Sequence, residues 1–220
     1  MEDKEYLKEL FPKRTDRSLK DITPMGKKTI AVLLSIFLLL FPHYAPWGPH
    51  YTSSHSWIGQ IFTLYFFVAN QALGIIHEAG HGVCYIFPCP QFLMVLNGTL
   101  FQVFFPVGVM VYYKKRKNDF GAYIALFFTG FSLLYTAWYM STAHEGAVLP
   151  ASKSFLGVDA IHDFHYIFTA LGILEYESFI SGFTRLVGYF LMIYSIVRLL
   201  FEAFKDHHKK NLRQKFINSH

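Results

Sequence analysis

The sequence predicts an all-α integral membrane protein, a bundle of about four to five transmembrane helices. Of its 220 residues, 53% are hydrophobic and 16% are charged, whereas soluble domains carry roughly 25% charged residues. No Asp, Glu, Lys or Arg occurs between Lys28 and Glu78, or between Phe120 and His144. Uncharged stretches of this length, rich in Phe, Leu, Ile and Val, are typical of transmembrane segments. The composition therefore argues against a disordered chain and against an ordinary soluble enzyme.

The chain begins with a charged arm and a short apolar segment. Residues 1–28 carry eight Lys/Arg and six Asp/Glu, which is typical of a solvated arm. The apolar residues 29–41 end at Pro42 and are fewer than the roughly 20 needed to cross a bilayer. Two alternatives remain open: the segment extends through Trp47 and spans, or it is a half-helix.

The next two segments are predicted as helices, one nearly uninterrupted in its apolar sequence and one interrupted by polar residues, glycine and proline. Residues 57–87 are uncharged apart from Glu78 and end at Pro88. Residues 91–113 are long enough to cross but contain Asn97, Gly98, Gln102 and Pro106. Backbone breaks at membrane depth are tolerated only where they face protein or a water-filled cavity. We therefore expect this segment to be broken or re-entrant and to line a site.

The rest of the chain is predicted to hold two more spans. Residues 120–140 and 179–201 are apolar along their whole length, and 164–176 is a short, partly apolar stretch. The predicted membrane domain covers 29–204, and 205–220 form a basic tail. Because the net charge of +5 is concentrated in short flanks, it indicates lipid headgroups as partners rather than nucleic acid.

The sharpest motif is the pentapeptide HEAGH, from His77 to His81. A spacing of four residues puts both imidazoles on one helical face, within reach of one Zn²⁺, and Glu78 can then accept a proton from water at the metal. With 11 His and 8 Glu in the chain, about 0.02 such motifs are expected by chance. Ionisable residues inside a membrane segment indicate function by default. The sequence thus predicts a zinc site with Glu78 as the catalytic base.

A catalytic zinc usually takes three protein ligands and a water. His162 is the predicted third ligand, with Asp163 as the alternative; the residue not used would orient a ligand by a hydrogen bond. Weaker candidates are His144, Asp159, Cys84 and Cys89. Further side chains are expected to support the ligands or contact substrate: Asp163, His165, Asn97 and Gln102. Two cysteines alone do not indicate a disulfide framework.

In HEAGH within a hydrophobic helix, the sequence resembles the site-2 protease group of intramembrane zinc metalloproteases. The resemblance covers the motif helix, the polar-interrupted segment after it, and a later donor cluster before a last span. It implies that His77 and His81 bind zinc, that Glu78 is the general base, and that the substrates are membrane proteins cut within or beside the bilayer. The Asn97 region would correspond to a hairpin that handles extended substrate.

Other functions and both orientations stay open at this point. A zinc hydrolase acting on a lipid-like amide uses the same motif, and a membrane carrier of metal or haem needs histidines but no glutamate between them. If 29–47 spans, the Lys and Arg counts on the two sides are equal under the positive-inside rule. If it does not, the arm, the loop Lys114–Lys117 and the tail share one side, and the zinc faces the outer half of the membrane.

Overall fold

The computed structural model describes residues 22–45, 47, 56–149 and 160–218, with side chains up to Lys205. Asp159 and most of the arm lie outside these residues. The helices are α1 (Pro24–Tyr44), α2 (Trp57–Ile86), α3 (Gln91–Lys115), α4 (Asp119–Met140), α5 (Asp163–Ala170) and α6 (Glu177–Asn218), and the strands are β1 (Val148–Leu149) and β2 (Ala160–Ile161). Within the described residues, the structure is thus all-helical apart from one two-residue ladder. Five helical segments among these residues are long and apolar enough to cross a membrane.

Helix α1 begins earlier and is longer than a half-helix. The Thr23 hydroxyl accepts a hydrogen bond from the Gly26 amide at 3.1 Å, and Pro24 occupies the first turn, where its missing N–H is not needed. The helix continues past Pro42 to Tyr44 and contains 21 residues. Its length of about 31 Å matches the hydrocarbon core of a bilayer.

Helix α3 is continuous, so the prediction of a broken or re-entrant segment is wrong. Pro106 has no N–H and leaves the carbonyl of Gln102 without its helical donor. The Ser132 hydroxyl of α4 donates a hydrogen bond to this carbonyl at 2.9 Å. The neighbouring helix thus satisfies the group that the proline frees, and α3 crosses the proline without a break.

Helix α4 lies at the centre of the bundle, and each long helix runs antiparallel to its principal neighbour. Helices α4 and α6 approach closely at Gly130 and Gly188: a Cβ on Gly130 would lie 2.6 Å from the Gly188 carbonyl oxygen. Small residues at such crossings are typical of membrane helix pairs. Helix α6 extends through the predicted basic tail to Asn218.

An aromatic cluster joins α1, α2 and α4. The Phe37 ring lies 5.7 Å from Phe62 of α2 and 6.3 Å from Phe131 of α4, and Phe41 lies 5.8 Å from Phe66. Pairs at these centroid distances contribute about 0.5–1.5 kcal/mol beyond the burial of their surface. Large rings therefore hold the first half of α2 in the bundle, while its second half packs on α3.

Short elements after α4 bring the chain back to α2. Strands β1 and β2 pair antiparallel, Val148 with Ile161. The His162 amide donates to the Ala147 carbonyl at 2.9 Å, and α5 starts at the next residue. The first turn of α5 is thereby placed against the end of α4 and beside α2.

Candidate metal centre

Helix α2 presents the two histidines of HEAGH one turn apart, as the spacing predicts. Their Nε2 atoms lie 3.1 Å from each other, and the ring centroids are 4.8 Å apart. The His81 Nδ1–H donates to the Met94 carbonyl of α3 at 2.7 Å. This hydrogen bond leaves the Nε2 lone pair of His81 directed toward His77, which is the arrangement that metal-binding histidines use.

Asp163 adds a carboxylate to the histidine pair. Its Oδ2 lies 2.7 Å from Nε2 of His77 and 3.3 Å from Nε2 of His81, although 86 residues separate Asp163 from His77. Burial raises the pKa of the Asp163 carboxyl, but its close contacts with the two imidazoles have a larger, opposite effect and hold this pKa below its usual range. The group is therefore a carboxylate.

The three converging atoms fit a zinc ion. Two imidazole nitrogens and one carboxylate oxygen carry lone pairs, and such atoms approach closely only when protons or a metal ion lie between them. Donor atoms of a tetrahedral zinc site with bonds of 2.0–2.1 Å are about 3.3 Å apart. Two of the separations here, 3.1 Å and 3.3 Å, are close to that value, and the third, 2.7 Å between His77 and Asp163, is shorter.

Glu78 lies beside this triad on α2. The ligand atoms of His77, Glu78 and His81 are all within 4.8 Å of one another. The side chain of Glu78 is half-buried, whereas His77 is buried. The carboxylate therefore lies close to the candidate metal position and is partly accessible to water.

Gly98 of α3 packs directly against the histidine pair. A Cβ at this position would lie 2.7 Å from Nε2 of His77 and 2.6 Å from Nε2 of His81. Gly80 of α2 allows the close approach of the helices, because a Cβ there would lie 2.9 Å from the Gly98 Cα. Two glycines on facing helices thus let the backbone of α3 pack directly beside the nitrogens that would bind the ion.

Tyr139, near the end of α4, is a site residue that the sequence analysis missed. Its hydroxyl accepts a hydrogen bond from the Asp163 amide at 3.1 Å. Its ring stacks on His162 with centroids 4.4 Å apart and meets the His77 ring edge-on at 6.1 Å. Tyr139 therefore contacts both segments of the triad. No motif marks it, since the sequence shows only an aromatic residue at a helix end.

His162 does not turn toward the histidine pair. Its Nε2 lies 3.0 Å from the Thr142 hydroxyl, and its Nδ1 accepts a hydrogen bond from the His165 amide as the cap of α5. Burial lowers the pKa of His162 to about 4, so the ring is neutral at physiological pH. The structure thus places Asp163, the alternative, rather than His162 next to His77 and His81.

The other predicted site residues lie around the triad but make different contacts. The His165 Nδ1–H donates to the Ala143 carbonyl at 2.8 Å. His144 pairs through Nδ1 with the Glu177 carboxylate at 2.5 Å and is largely exposed. These contacts join the segment after α4 to α5 and α6, so both histidines support the local fold rather than approach the triad.

Asn97 and Gln102 point into helix interfaces. The Asn97 amide donates to Sγ of Cys84 at 3.1 Å. The Gln102 amide donates to the Thr136 hydroxyl of α4 at 3.4 Å, and its side chain is buried. Gln102 therefore links α3 to α4, and Asn97 links α3 to α2 one turn beyond His81.

Cys84 and Cys89 form a disulfide, which two cysteines alone did not indicate. The bridge joins the last turn of α2 to the connection that precedes α3, and the two Cα atoms are 5.4 Å apart. With both thiols paired, neither cysteine is left as a thiolate to bind metal. The cross-link instead closes the hairpin that carries His77 and His81 on one side and Gly98 on the other.

Comparison of the chain with models of known protein families, with curated proteins and with solved structures gives no match.

Proposed function

We propose that the chain is a multi-pass membrane zinc metalloprotease of the site-2 protease type, which hydrolyses peptide bonds of membrane proteins within or near the bilayer. One observation carries the proposal. A carboxylate from a distant segment, Asp163, meets the two HEAGH imidazoles at 2.7 Å and 3.3 Å. Asp163 thereby adds a third candidate ligand to the two that HEAGH supplies.

The distribution of side chains supports a membrane location. Large apolar side chains point outward along the helices, including Leu64 (65% exposed), Phe67 (62%) and Phe190 (64%). Polar groups such as Ser132 and Gln102 lie inside. An apolar exterior of this extent is costly in water, whereas lipid chains cover it without cost. The five long apolar helical segments would then cross or enter the bilayer.

The residues that would hold zinc are His77, His81 and Asp163. Zinc bound there supplies Lewis acidity and lowers the pKa of a bound water to about 7. The Met94 carbonyl orients His81, and the Tyr139 hydroxyl holds the Asp163 amide. With two neutral imidazoles and one carboxylate, the three side chains carry a net charge of −1 and reduce the charge of a divalent ion to +1.

Glu78 is the proposed general base. A carboxylate at membrane depth costs several kcal/mol unless it faces water, a partner or a metal. The half-buried side chain of Glu78, beside the histidine pair, meets that condition. Its carboxylate takes a proton from the attacking water and delivers it to the amine that leaves, which is the ordinary role of a base in peptide hydrolysis.

The test combines metal analysis with an activity assay on the full-length chain. Glu78→Gln keeps the shape of the side chain but cannot accept the proton. We expect it to retain zinc and to lower cleavage of a panel of tagged single-span membrane proteins by roughly 10²–10⁴-fold. The matched control is Glu175→Gln, the same change at an exposed position outside the triad. Full cleavage by Glu78→Gln with zinc bound would rule out Glu78 as the base.

Metal content and the activity of the variants together separate the proposal from its alternatives. A metalloprotease contains one zinc per chain and loses it in His77→Ala and His81→Ala. A metal or haem carrier would keep its function in Glu78→Gln, because no step of transport requires a base at that position. A lipid-amide hydrolase would lose activity on amide lipids, and not on proteins, in the same variant.

A further inference from the structure

The bundle has one strongly basic end, defined by the amino end of α1, the connection between α3 and α4, and the last described side chains of α6. The basic residues there are Lys27, Lys28, Lys114, Lys115, Arg116, Lys117, Arg198 and Lys205. These are eight of the nine Lys and Arg residues whose side chains the structure describes. Positive charge from three separate parts of the sequence therefore collects at one end.

Contacts between the helices show that these residues share one level of the bundle. The Lys27 Nζ lies 5.3 Å from the centroid of the Phe120 ring at the start of α4. The Lys28 Nζ lies 5.0 Å from the Phe204 ring of α6. The amino end of α1, the start of α4 and the distal part of α6 are thus side by side.

The connection between α3 and α4 belongs to the same end. The Lys114 Nζ pairs with Asp119 at 2.6 Å and lies 4.9 Å from the centroid of the Tyr123 ring. The Arg198 guanidinium lies 5.0 Å from the same ring. Both cations use an aromatic face of α4 close to its first residue, which is a typical arrangement at a membrane interface.

The candidate metal centre lies at the opposite end. From Asp119 to Tyr139, α4 rises about 30 Å, the thickness of the hydrocarbon core. Tyr139 contacts both His77 and Asp163. Arg185 is the only described Lys or Arg at this end, where its guanidinium lies 5.3 Å from the centroid of the Trp47 ring. The described acidic residues at this end are Glu78, Glu145, Asp163, Glu175 and Glu177.

The disulfide gives independent evidence about this end. Cys84 and Cys89 join α2 to the connection before α3, and α3 then runs away from the centre to the basic end. Disulfides persist in oxidising compartments and are rare in the cytosol. The bridge therefore indicates that the end with the metal centre faces a non-cytoplasmic compartment.

We propose that the basic end is cytoplasmic and that the metal centre opens to the non-cytoplasmic side of the membrane. Lys and Arg are retained on the cytoplasmic side of membrane proteins, and the disulfide is expected on the other side. Given the proposed function, on which this inference rests, the substrates are membrane-anchored polypeptides whose cleaved bond lies at the non-cytoplasmic face. Segments exposed only to the cytoplasm would not reach the centre.

Labelling with a membrane-impermeant maleimide tests the orientation. Full-length chains carrying Glu175→Cys, near the centre, or Lys115→Cys, at the basic end, are expressed in the inner membrane of a bacterial host. Both positions are exposed. The wild-type chain, whose cysteines are paired, sets the background. We expect Glu175→Cys to be labelled equally in intact spheroplasts and after lysis, and Lys115→Cys to be labelled only after lysis.

The outcomes separate this proposal from the proposed function, because labelling requires neither zinc nor activity. Labelling of Lys115→Cys in intact spheroplasts would overturn the proposal. Labelling of Lys115→Cys alone would indicate the opposite orientation, and labelling of both variants would indicate a mixture of the two orientations. Free thiols at Cys84 and Cys89 in freshly isolated membranes would remove the argument from the disulfide. Neither result would bear on whether Glu78→Gln loses activity with zinc bound.

Discussion

Gly98→Ala tests the proposed position of the metal more directly than a change of a proposed ligand does. The added Cβ would lie 2.7 Å from Nε2 of His77 and 2.6 Å from Nε2 of His81. Non-bonded heavy atoms prefer about 3.5 Å or more, so the side chains or the helix must move by about 0.8–0.9 Å. The hydrogen bond from His81 to the Met94 carbonyl opposes this movement.

A displacement of this size exceeds the tolerance of a metal site, whose ligand distances vary by only about 0.2 Å. We therefore expect Gly98→Ala to weaken zinc binding at least as much as the loss of a hydrogen bond that orients a ligand does, about 10–100-fold. The assay is a competition titration of the purified chain against a chelator, with zinc content measured per chain.

Gly108→Ala is the matched control on the same helix. A Cβ at Gly108 meets nothing within 4 Å, and alanine favours a helix over glycine by up to about 1 kcal/mol. This variant should bind zinc like the wild type and unfold at the same or a higher temperature. Equal zinc affinity in Gly98→Ala and Gly108→Ala would refute the reasoning, because displacement of the two imidazoles by the Cβ would then leave the proposed ligand geometry unaffected.

Three further changes test the surroundings of the centre. Asp163→Asn should lose zinc, while His162→Asn, which retains a good helix-capping side chain, should keep it; chelator titration of both distinguishes the two candidate ligands, and the reverse order would restore His162. Tyr139→Phe keeps the ring contacts but leaves the Asp163 amide without its acceptor, at a cost of about 1–3 kcal/mol, and zinc affinity should fall; an unchanged affinity and melting temperature would show that the hydroxyl is dispensable. Ser132→Ala removes the donor to the carbonyl freed by Pro106, and should destabilise the bundle by about 0.6–1.7 kcal/mol in detergent unfolding. If Ser132→Ala lowers stability more in the Pro106→Ala background than in the wild type, this account is contradicted.

The proposed orientation has a consequence for the design of the activity assay. If the centre opens to the non-cytoplasmic side, a substrate that presents its cleavable segment on the cytoplasmic side gives no product. Tagged single-span proteins should therefore be supplied in both orientations. Cleavage confined to those with the segment on the non-cytoplasmic side is the expected result, and cleavage confined to the other set would contradict the proposed orientation while supporting the protease.

The positions of three long helices and the pairing of His77 with His81 on one helical face could be predicted from the sequence, because both depend on local patterns. Long uncharged apolar stretches predicted helices that the structure contains at 57–86, 91–115 and 119–140. The helical period alone places His77 and His81 on one face, and their Nε2 atoms do lie 3.1 Å apart. Which residues share a helical face follows from the period of 3.6 residues per turn, so this property can be predicted without knowledge of distant contacts.

The continuity of α3 was decided by tertiary structure. Pro106 predicts a break because the carbonyl of Gln102 loses its donor. Ser132 is 30 residues away in the sequence and supplies a replacement. Whether a proline interrupts a membrane helix therefore depends on the neighbouring helix, which a local pattern does not contain.

Tertiary structure also decided which residue lies beside the histidine pair. His162, the predicted third ligand, and Asp163, the alternative, are adjacent in the sequence, but one caps α5 while the other occupies its first turn, so their side chains diverge. Packing of α5 against the end of α4 turns Asp163 toward α2 and His162 toward Thr142. Tyr139 and Gly98 acquire their roles in the same way, because each acts on a residue of another segment, and only the assembled bundle brings those segments together.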